Sequence, residues 1–519
     1  MDRPDATPAA GVRRRAVLGA AAAGTVLAGS LGGCAGWPEA VELPPGEMPP
    51  AAPREWRAAW VASVAHIDWP PRPGLDAAAQ QQAARELIER AQAIGLNALI
   101  LQVRPAGDAL YPSALEPWSE YLTGEQGRPP DPPWDPLAFW AAEAAARGIE
   151  LHAWLNPYRA RHPSARSALA APHLGVTDPA AVKAYGEWLW MDPAEPAAVQ
   201  RTLAVVADIA RRYAIAGLHI DDYFYPYPVR QGDVELPFPD EPAWQRELER
   251  AQRAGSPVPT RADWRRAQVD DLVRALARTV REARPGMAFG VSPFGIGRPD
   301  RRPPGITGFS QYDKLYADVE RWLAEGWMDY LAPQLYWARA STGQRFEVLL
   351  DYWLAQAPRG IRMRPGLYSS RVGAEGPQAW PAQEIVEQIA VLRSRPGVDG
   401  HAHFSLSALA QDRGGLAAAL RDGPYAQAAL APPAVGAADG APPAPPRLER
   451  RWFGAPGLRA ADERAFVHAV WLREQGRWRF AVLPAAQYRL PLLPASDACV
   501  VSAVDAQGRE GARQAWRLR

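Results

Sequence analysis

Cysteine is almost missing from this chain: 519 residues carry two, Cys34 and Cys499. A disulfide framework is therefore no organising principle of the fold, and if Cys34 is spent elsewhere no intrachain bridge can form. A surplus of either charge is missing too. Lys and Arg total 58 against 57 Asp and Glu, for a net charge of +1. That removes the general electrostatic argument for nucleic acid or other polyanions as partners. Beyond the N-terminus no stretch of roughly twenty residues is apolar enough to cross a bilayer. No glycine-rich nucleotide loop follows the first strand-like run, and no helical HxxxH or CxxC spacing marks a metal site.

What is plentiful is proline, 54 residues, and tryptophan, 21. Tryptophan offers a broad apolar face and one N–H donor. Most of these rings are expected in the core, and a few as platforms for the C–H faces of sugars.

The N-terminus reads as a leader. "VRRRAVLGAAAAGTVLAGSLGGCAG" sets an Arg cluster before an apolar run and small residues. Arg14-Arg15-Ala16-Val17-Leu18 resembles a twin-arginine signal, and Leu31-Gly32-Gly33-Cys34 resembles a bacterial lipobox. The expectation is a signal peptide over 1–33, with Cys34 acylated as the mature N-terminus. The protein would then be exported and held by lipid at a membrane of the cell envelope, facing the periplasm or exterior. Cys499, in "DACVVSAV", reads as a small buried hydrophobe.

Residues 34–53 are Pro-rich and aperiodic, as a tether would be, and a Pro/Ala-rich linker is expected over 426–446. Between them, 54–425 repeats one grammar of helix, glycine, apolar strand and polar end. "DAAAQQQAARELIERAQAIGLNALILQVRP" has a cap at Asp76 and a stop at Gly95; "DPLAFWAAEAAARGIELHAWLNPYR" has Asp135, Pro136 and Gly148 in the matching roles. Eight strand candidates alternate with helices, which predicts an α/β fold, a (β/α)8 barrel. Residues 447–519 read as a small β domain, sandwich-like and weakly similar to fibronectin type III.

Active sites of such barrels gather at the C-terminal ends of the strands. Those ends carry Asp68 and Trp69; Gln102 and Arg104; Asn156, Tyr158 and Arg159; His219, Asp221, Asp222 and Tyr223; and Gln334, Tyr336 and Trp337. Amides, acids, two arginines and aromatics suit a neutral polyhydroxylated ligand. A phosphate would call for Gly-rich loops and more cations. His219 shares strand parity with Asp221 and is expected inside the barrel, either meeting substrate or satisfied there. His66, His152 and His219 with Asp68 and Asp221 are the alternative metal set; no metal or cofactor is expected.

Six motifs then carry a resemblance: "RAAWVASVAHIDWP", "LILQVRPAGDALYPS", "HAWLNPYR", "GLHIDDYFYP", "GVSPFG" and "DYLAPQLYW". In this order they are similar to the motifs of the glycosyl hydrolase-like 10 family of bacterial envelope proteins, over roughly 54–425. The resemblance implies a barrel, a glycoside hydrolase, and an amino-sugar polymer of the envelope as substrate. Peptide-free peptidoglycan strands are the foremost candidate, with cell-division or envelope partners. It does not assign the catalytic residues.

Glycosidases usually need two carboxyl groups, one with a raised pKa. Asp221 and Asp222 end one apolar run side by side. Such a pair resembles that of enzymes using the substrate's own 2-acetamido group as nucleophile, the O-GlcNAcase and hexosaminidase families. By that analogy Asp222 is the general acid and Asp221 orients the acetamido N–H. Three other readings stand beside it: Asp221 as sole nucleophile, either Asp paired with Arg104 or Arg159 as scaffolding, or a fold that binds glycan without cleaving it. A metal-dependent deacetylase of the same sugars is a further alternative.

Overall fold

The computed structural model describes residues 39–518 except 359, 377, 436–439, 450–456, 488 and 492–494. The expected signal peptide and Cys34 lie outside the described residues.

The core is a curled nine-stranded sheet, all of whose pairings are parallel. In chain order its strands are Trp56–Val61, Ala98–Arg104, Glu150–Leu155, Gly217–Ile220, Ala288–Val291, Tyr330–Leu331, Arg362–Met363, Gly366–Leu367 and Gly400–His403. The two strands at the ends of the row are halves of one stretch. Arg362–Met363 pairs with Tyr330–Leu331, and Gly366–Leu367 pairs with Ala402–His403. Pro365 separates the halves; lacking an N–H, it interrupts the ladder there.

Helices follow the strands. Ala77–Ile94 starts where the Asp76 side chain accepts from Ala79 N and ends at left-handed Gly95. Pro136–Ala145 is capped by Asp135 and has proline in its first turn. Both caps satisfy amide groups that a helix start leaves without intrahelical partners. Pro196–Arg212, Arg261–Ala283, Phe346–Gln356 and Ala382–Arg393 continue the pattern.

Strand parity divides the apolar residues into two cores. Residues facing the helices form the large outer shell, with Val61, Leu99, Leu101, Leu218 and Val291 among them. On the concave side Trp56, Ala58, Trp60, Ala62, Ala98, Ile100, Trp154, Tyr330, Ala332 and Ala402 fill the curl. Large rings there need small neighbours. A Cβ on Gly290 would sit 1.9 Å from the Tyr330 ring, and one on Gly217 would sit 2.4 Å from His152 Nδ1.

In the C-terminal region the described strands do not establish the expected two-sheet sandwich. They supply four of the five strands of one antiparallel sheet, plus the two-stranded ribbon Arg447–Glu449/Gly457–Arg459. Trp471 packs on one face of the larger sheet and buried Cys499 on the other. The described part of the expected tether is docked rather than free: Glu39–Val41 pairs antiparallel with residues 515–517. The linker is also tied to the fold. Leu430 is buried and bridges Arg54, whose guanidinium donates to Ala431 O and Gly508 O at 3.0 Å each.

Candidate active site

At the C-terminal ends of the central strands lies a cavity of about 270 Å³. Its walls include Trp60, Trp154, Tyr223, Tyr336, Tyr368 and Phe404, and its polar groups are Arg159, Asp221, Asp222, Ser292 and Gln334. The Gly217–Ile220 strand stops just before the two acids, and the turn that follows brings both carboxyls to the same cavity. A regular strand would have sent them to opposite faces.

Each acid has its own set of donors. Asp221 accepts from Trp154 Nε1 at 3.0 Å and from Asn156 Nδ2 at 3.3 Å. Asn156 is itself held, its Oδ1 accepting from Arg159 N at 2.8 Å. Asp222 accepts a short hydrogen bond from the Tyr227 hydroxyl. Burial pushes the Asp221 carboxyl up to about 7, helped by the neighbouring Asp222 and opposed by Arg159, Trp154 and Asn156. Burial raises Asp222 as well, against the hydrogen bonds of Tyr227 and Gln334. Two acids in so dry a place favour a form in which the pair retains a proton near neutral pH. Arg159 lies under the Tyr223 ring at 4.7 Å and donates from Nε to Pro105 O.

Of the residues singled out from sequence, Asp221, Asp222, Arg159, Tyr223, Gln334 and Tyr336 line the cavity together. Asn156 stands behind Asp221. His219 lies beneath the floor, fully buried, bonded to Trp60 and Ser292. Burial holds its pKa well below the ordinary histidine value.

Six others do not line the cavity. Trp69 is a core ring, enclosed edge-on by Trp134 and Trp140, with its N–H on Gln80 O. Trp337 packs its edge on Phe294. Tyr158 is buried in the outer shell. Gln102 Oε1 accepts from the amides of Ser63 and Val64, and Asp68 ties Ala62 N to Ser405 Oγ and Ser407 N. Arg104 makes a buried ion pair with Glu116 and donates to Asn156 O. It therefore supports the loop bearing Asn156 and makes no pair with either aspartate. Among the described residues no group of three or more His, Cys, Asp or Glu comes within reach of one metal ion.

Trp60, Trp154, Ser292, Tyr368 and Phe404 also line the wall, beside Ala62, Val64 and Ile67, without having been selected as binding residues. A usable signal existed for four of them: Ser292 and Tyr368 stand at the ends of their strand runs, and two rings have strand parity. Trp60 shares inward parity with Trp56, Ala58 and Ala62, and Trp154 shares it with His152 and Asn156.

The family model described as Glycosyl hydrolase-like 10 matches residues 55–380. Glycosyl hydrolase YngK of Bacillus subtilis (strain 168) is 37% identical over 386 residues, 73% of this chain and 73% of that protein. Glycosyl hydrolase DigH of Escherichia coli (strain K12) is 33% identical over 361 residues, 65% of this chain and 79% of its own. Among solved structures, the glycoside hydrolase domain of PgaB (BpsB) from Bordetella bronchiseptica aligns with a TM-score of 0.47 and 16% identity, covering 71% of this chain and 98% of that one.

Proposed function

The chain belongs to the glycosyl hydrolase-like 10 family, and from that premise we propose that it hydrolyses glycosidic bonds in an amino-sugar polymer of the cell envelope, peptide-free peptidoglycan strands foremost, on a (β/α)8 barrel closed through Arg362–Leu367. One observation carries the reading: two adjacent buried aspartates open into a single aromatic-walled cavity. The rings supply apolar faces for sugar C–H groups, and the acids supply proton transfer.

In this reading Asp222 is the proton donor. Its raised pKa keeps a proton available, which passes to the glycosidic oxygen as the C1–O bond breaks. Asp221, clamped by Trp154 and Asn156, is the orienting carboxylate. It accepts the N–H of the 2-acetamido group, whose carbonyl oxygen then attacks C1. Water opens the resulting oxazolinium ring, and Asp222 takes back the proton. Arg159 beside the pair favours the ionised form of Asp221.

The test is product analysis. Purified protein is incubated with peptide-free peptidoglycan strands and the products are read by mass spectrometry. Shorter chains support hydrolysis. Unchanged chains would leave a glycan-binding protein, and released acetate a deacetylase.

Lipid anchoring through Cys34 belongs to the same proposal. Diacylglycerol on that thiol would be a strong hydrophobic attachment. Cys34→Ala should move the protein from the membrane fraction to the soluble one; a mutant still sedimenting after a high-salt wash removes the anchor.

A further inference from the structure

Beneath the cavity floor a chain of hydrogen bonds crosses the inside of the curled sheet. Trp60 Nε1 lies 3.2 Å from His219 Nε2, and Ser292 Oγ lies 2.9 Å from the same nitrogen. His219 Nδ1 lies 2.9 Å from the Tyr330 hydroxyl, which in turn lies 3.1 Å from His152 Nδ1.

The direction of every bond follows from its first member. An indole N–H can only donate. His219 Nε2 therefore carries no proton and accepts. The imidazole proton sits on Nδ1 and donates to Tyr330. The Tyr330 hydrogen goes on to His152 Nδ1, so His152 keeps its proton on Nε2, 3.8 Å from Glu150 Oε2. Ser292 faces the same unprotonated nitrogen, and its hydroxyl hydrogen points down to it, sharing the one lone pair with the longer bond from Trp60. Rotating that hydrogen into the cavity would set two lone pairs against each other at 2.9 Å. The main chain of Ser292 is already engaged, its N–H by Ile220 O at 2.9 Å and its carbonyl by Gln334 Nε2 at 3.0 Å.

We propose that Ser292 is an obligate hydrogen-bond acceptor in the cavity and reads a donor, a hydroxyl or an amide N–H, on the bound sugar. The proposal rests on reading the cavity as a sugar site. An unconstrained serine takes either polarity and discriminates little. This one presents only lone pairs, so an ether or ester oxygen at that point meets an acceptor with an acceptor. Ser292 is thus a specificity residue that favours a free donor group over its O-alkylated, O-acylated or N-alkylated form. Trp60, His219, Tyr330 and His152 act through it as positioning residues.

The experiment measures binding by calorimetry. The probes are the β-1,4-linked N-acetylglucosamine tetramer and analogues with the 3-OH or 6-OH replaced by hydrogen or methoxy, or with the acetamido N–H methylated. At one of these positions the wild type should lose about tenfold to a hundredfold in affinity, the range for leaving a buried acceptor unpaired. Ser292→Ala should bind the parent sugar more weakly and show no such loss at that position, while keeping the wild-type pattern elsewhere. Ser292→Cys, with a weaker acceptor of similar shape, should fall between and guards against a folding defect in the alanine variant. Independently, ¹⁵N-histidine NMR of the wild type should place the His219 proton on Nδ1.

A His219 proton on Nε2, or a Ser292→Ala variant that keeps every wild-type penalty, overturns the proposal. Because the readout is binding, the two readings fail separately. The expected pattern without cleavage sinks hydrolysis and leaves the acceptor. Cleavage without a Ser292-dependent position does the reverse, and no binding of any probe overturns the acceptor while hydrolysis is still decided by product analysis.

Discussion

The indole N–H of Trp154 donates to a carboxylate oxygen of Asp221 at 3.0 Å, and both residues wall the same cavity. The bond stabilises the ionised acid and opposes the burial that lifts its pKa to about 7. Trp154→Phe keeps most of the ring and deletes the donor. If the active form holds one proton on the aspartate pair, the acidic limb of the kcat/KM profile reports the step that leaves Asp221 ionised. That limb should move to higher pH by roughly one to two units, the scale of one hydrogen bond to a charged group. An unmoved limb would take Asp221 out of the titration.

The same shift makes a stability prediction. The folded Asp221 titrates near 7 and the unfolded one near 3.8. Between those values the folded chain binds more protons than the unfolded chain. The group's favourable contribution is therefore complete below the unfolded value and is lost as pH rises through the folded one. Each unit of difference corresponds to about 1.4 kcal/mol. Asp221→Asn cannot ionise and escapes this loss. Its Tm relative to the wild type should rise between about pH 5 and about pH 8 in scanning calorimetry. A constant difference across that range contradicts the raised pKa.

Local signals are legible in the sequence itself. Asp76, Asp135 and Gly95 announced helix ends because a cap depends only on neighbours in sequence. The inward parity of His219 and Asp221 was legible for the same reason. Illegible were the partners of polar strand ends. Gln102 and Asp68 look like ligand-binding groups, yet their acceptors are filled by amides of adjacent loops, a matter of register between strands. The fate of each tryptophan was equally hidden. Trp69 follows its strand much as Trp154 ends another, but the first helix offers Trp69 a carbonyl at Gln80, and Trp140 closes over it. The docking of Glu39–Val41 on residues 515–517 joins opposite ends of the described chain and leaves no local trace.

Those two kinds of aromatic ring should part company under mutation. Trp69→Ala removes an enclosed core ring and should cost roughly 3–5 kcal/mol of stability, with glycan affinity of the folded fraction unchanged. Tyr336 lines the cavity, half-buried and stacked on Tyr368 at 4.9 Å. Tyr336→Ala should weaken glycan binding about tenfold, on the scale of an aromatic contact plus its buried area, and cost less stability than Trp69→Ala. Denaturant melts beside binding isotherms decide it. If Tyr336→Ala unfolds the protein while binding survives in the folded fraction, Tyr336 is a packing residue and the sugar lies elsewhere.

The aspartate pair gives the most discriminating comparison, because the two residues are assigned different jobs on one substrate. Asp222→Asn removes the proton donor but keeps its shape. Turnover of a glycan with a poor leaving group should fall by about 10²–10⁴-fold, the usual scale of general acid catalysis. An aryl glycoside with a good leaving group needs no protonation and should be largely spared. Asp221→Asn leaves the donor but loses the carboxylate that turns the acetamido group toward C1, so both substrates should suffer alike. A thiazoline mimic of the cyclised intermediate should inhibit the wild type strongly and Asp221→Asn weakly, since the carboxylate that recognises its ring N–H is gone. If a fluorosugar instead traps a covalent glycosyl ester on Asp221, that residue is the nucleophile and the acetamido mechanism is wrong. Full activity in both variants would remove the pair from the chemistry.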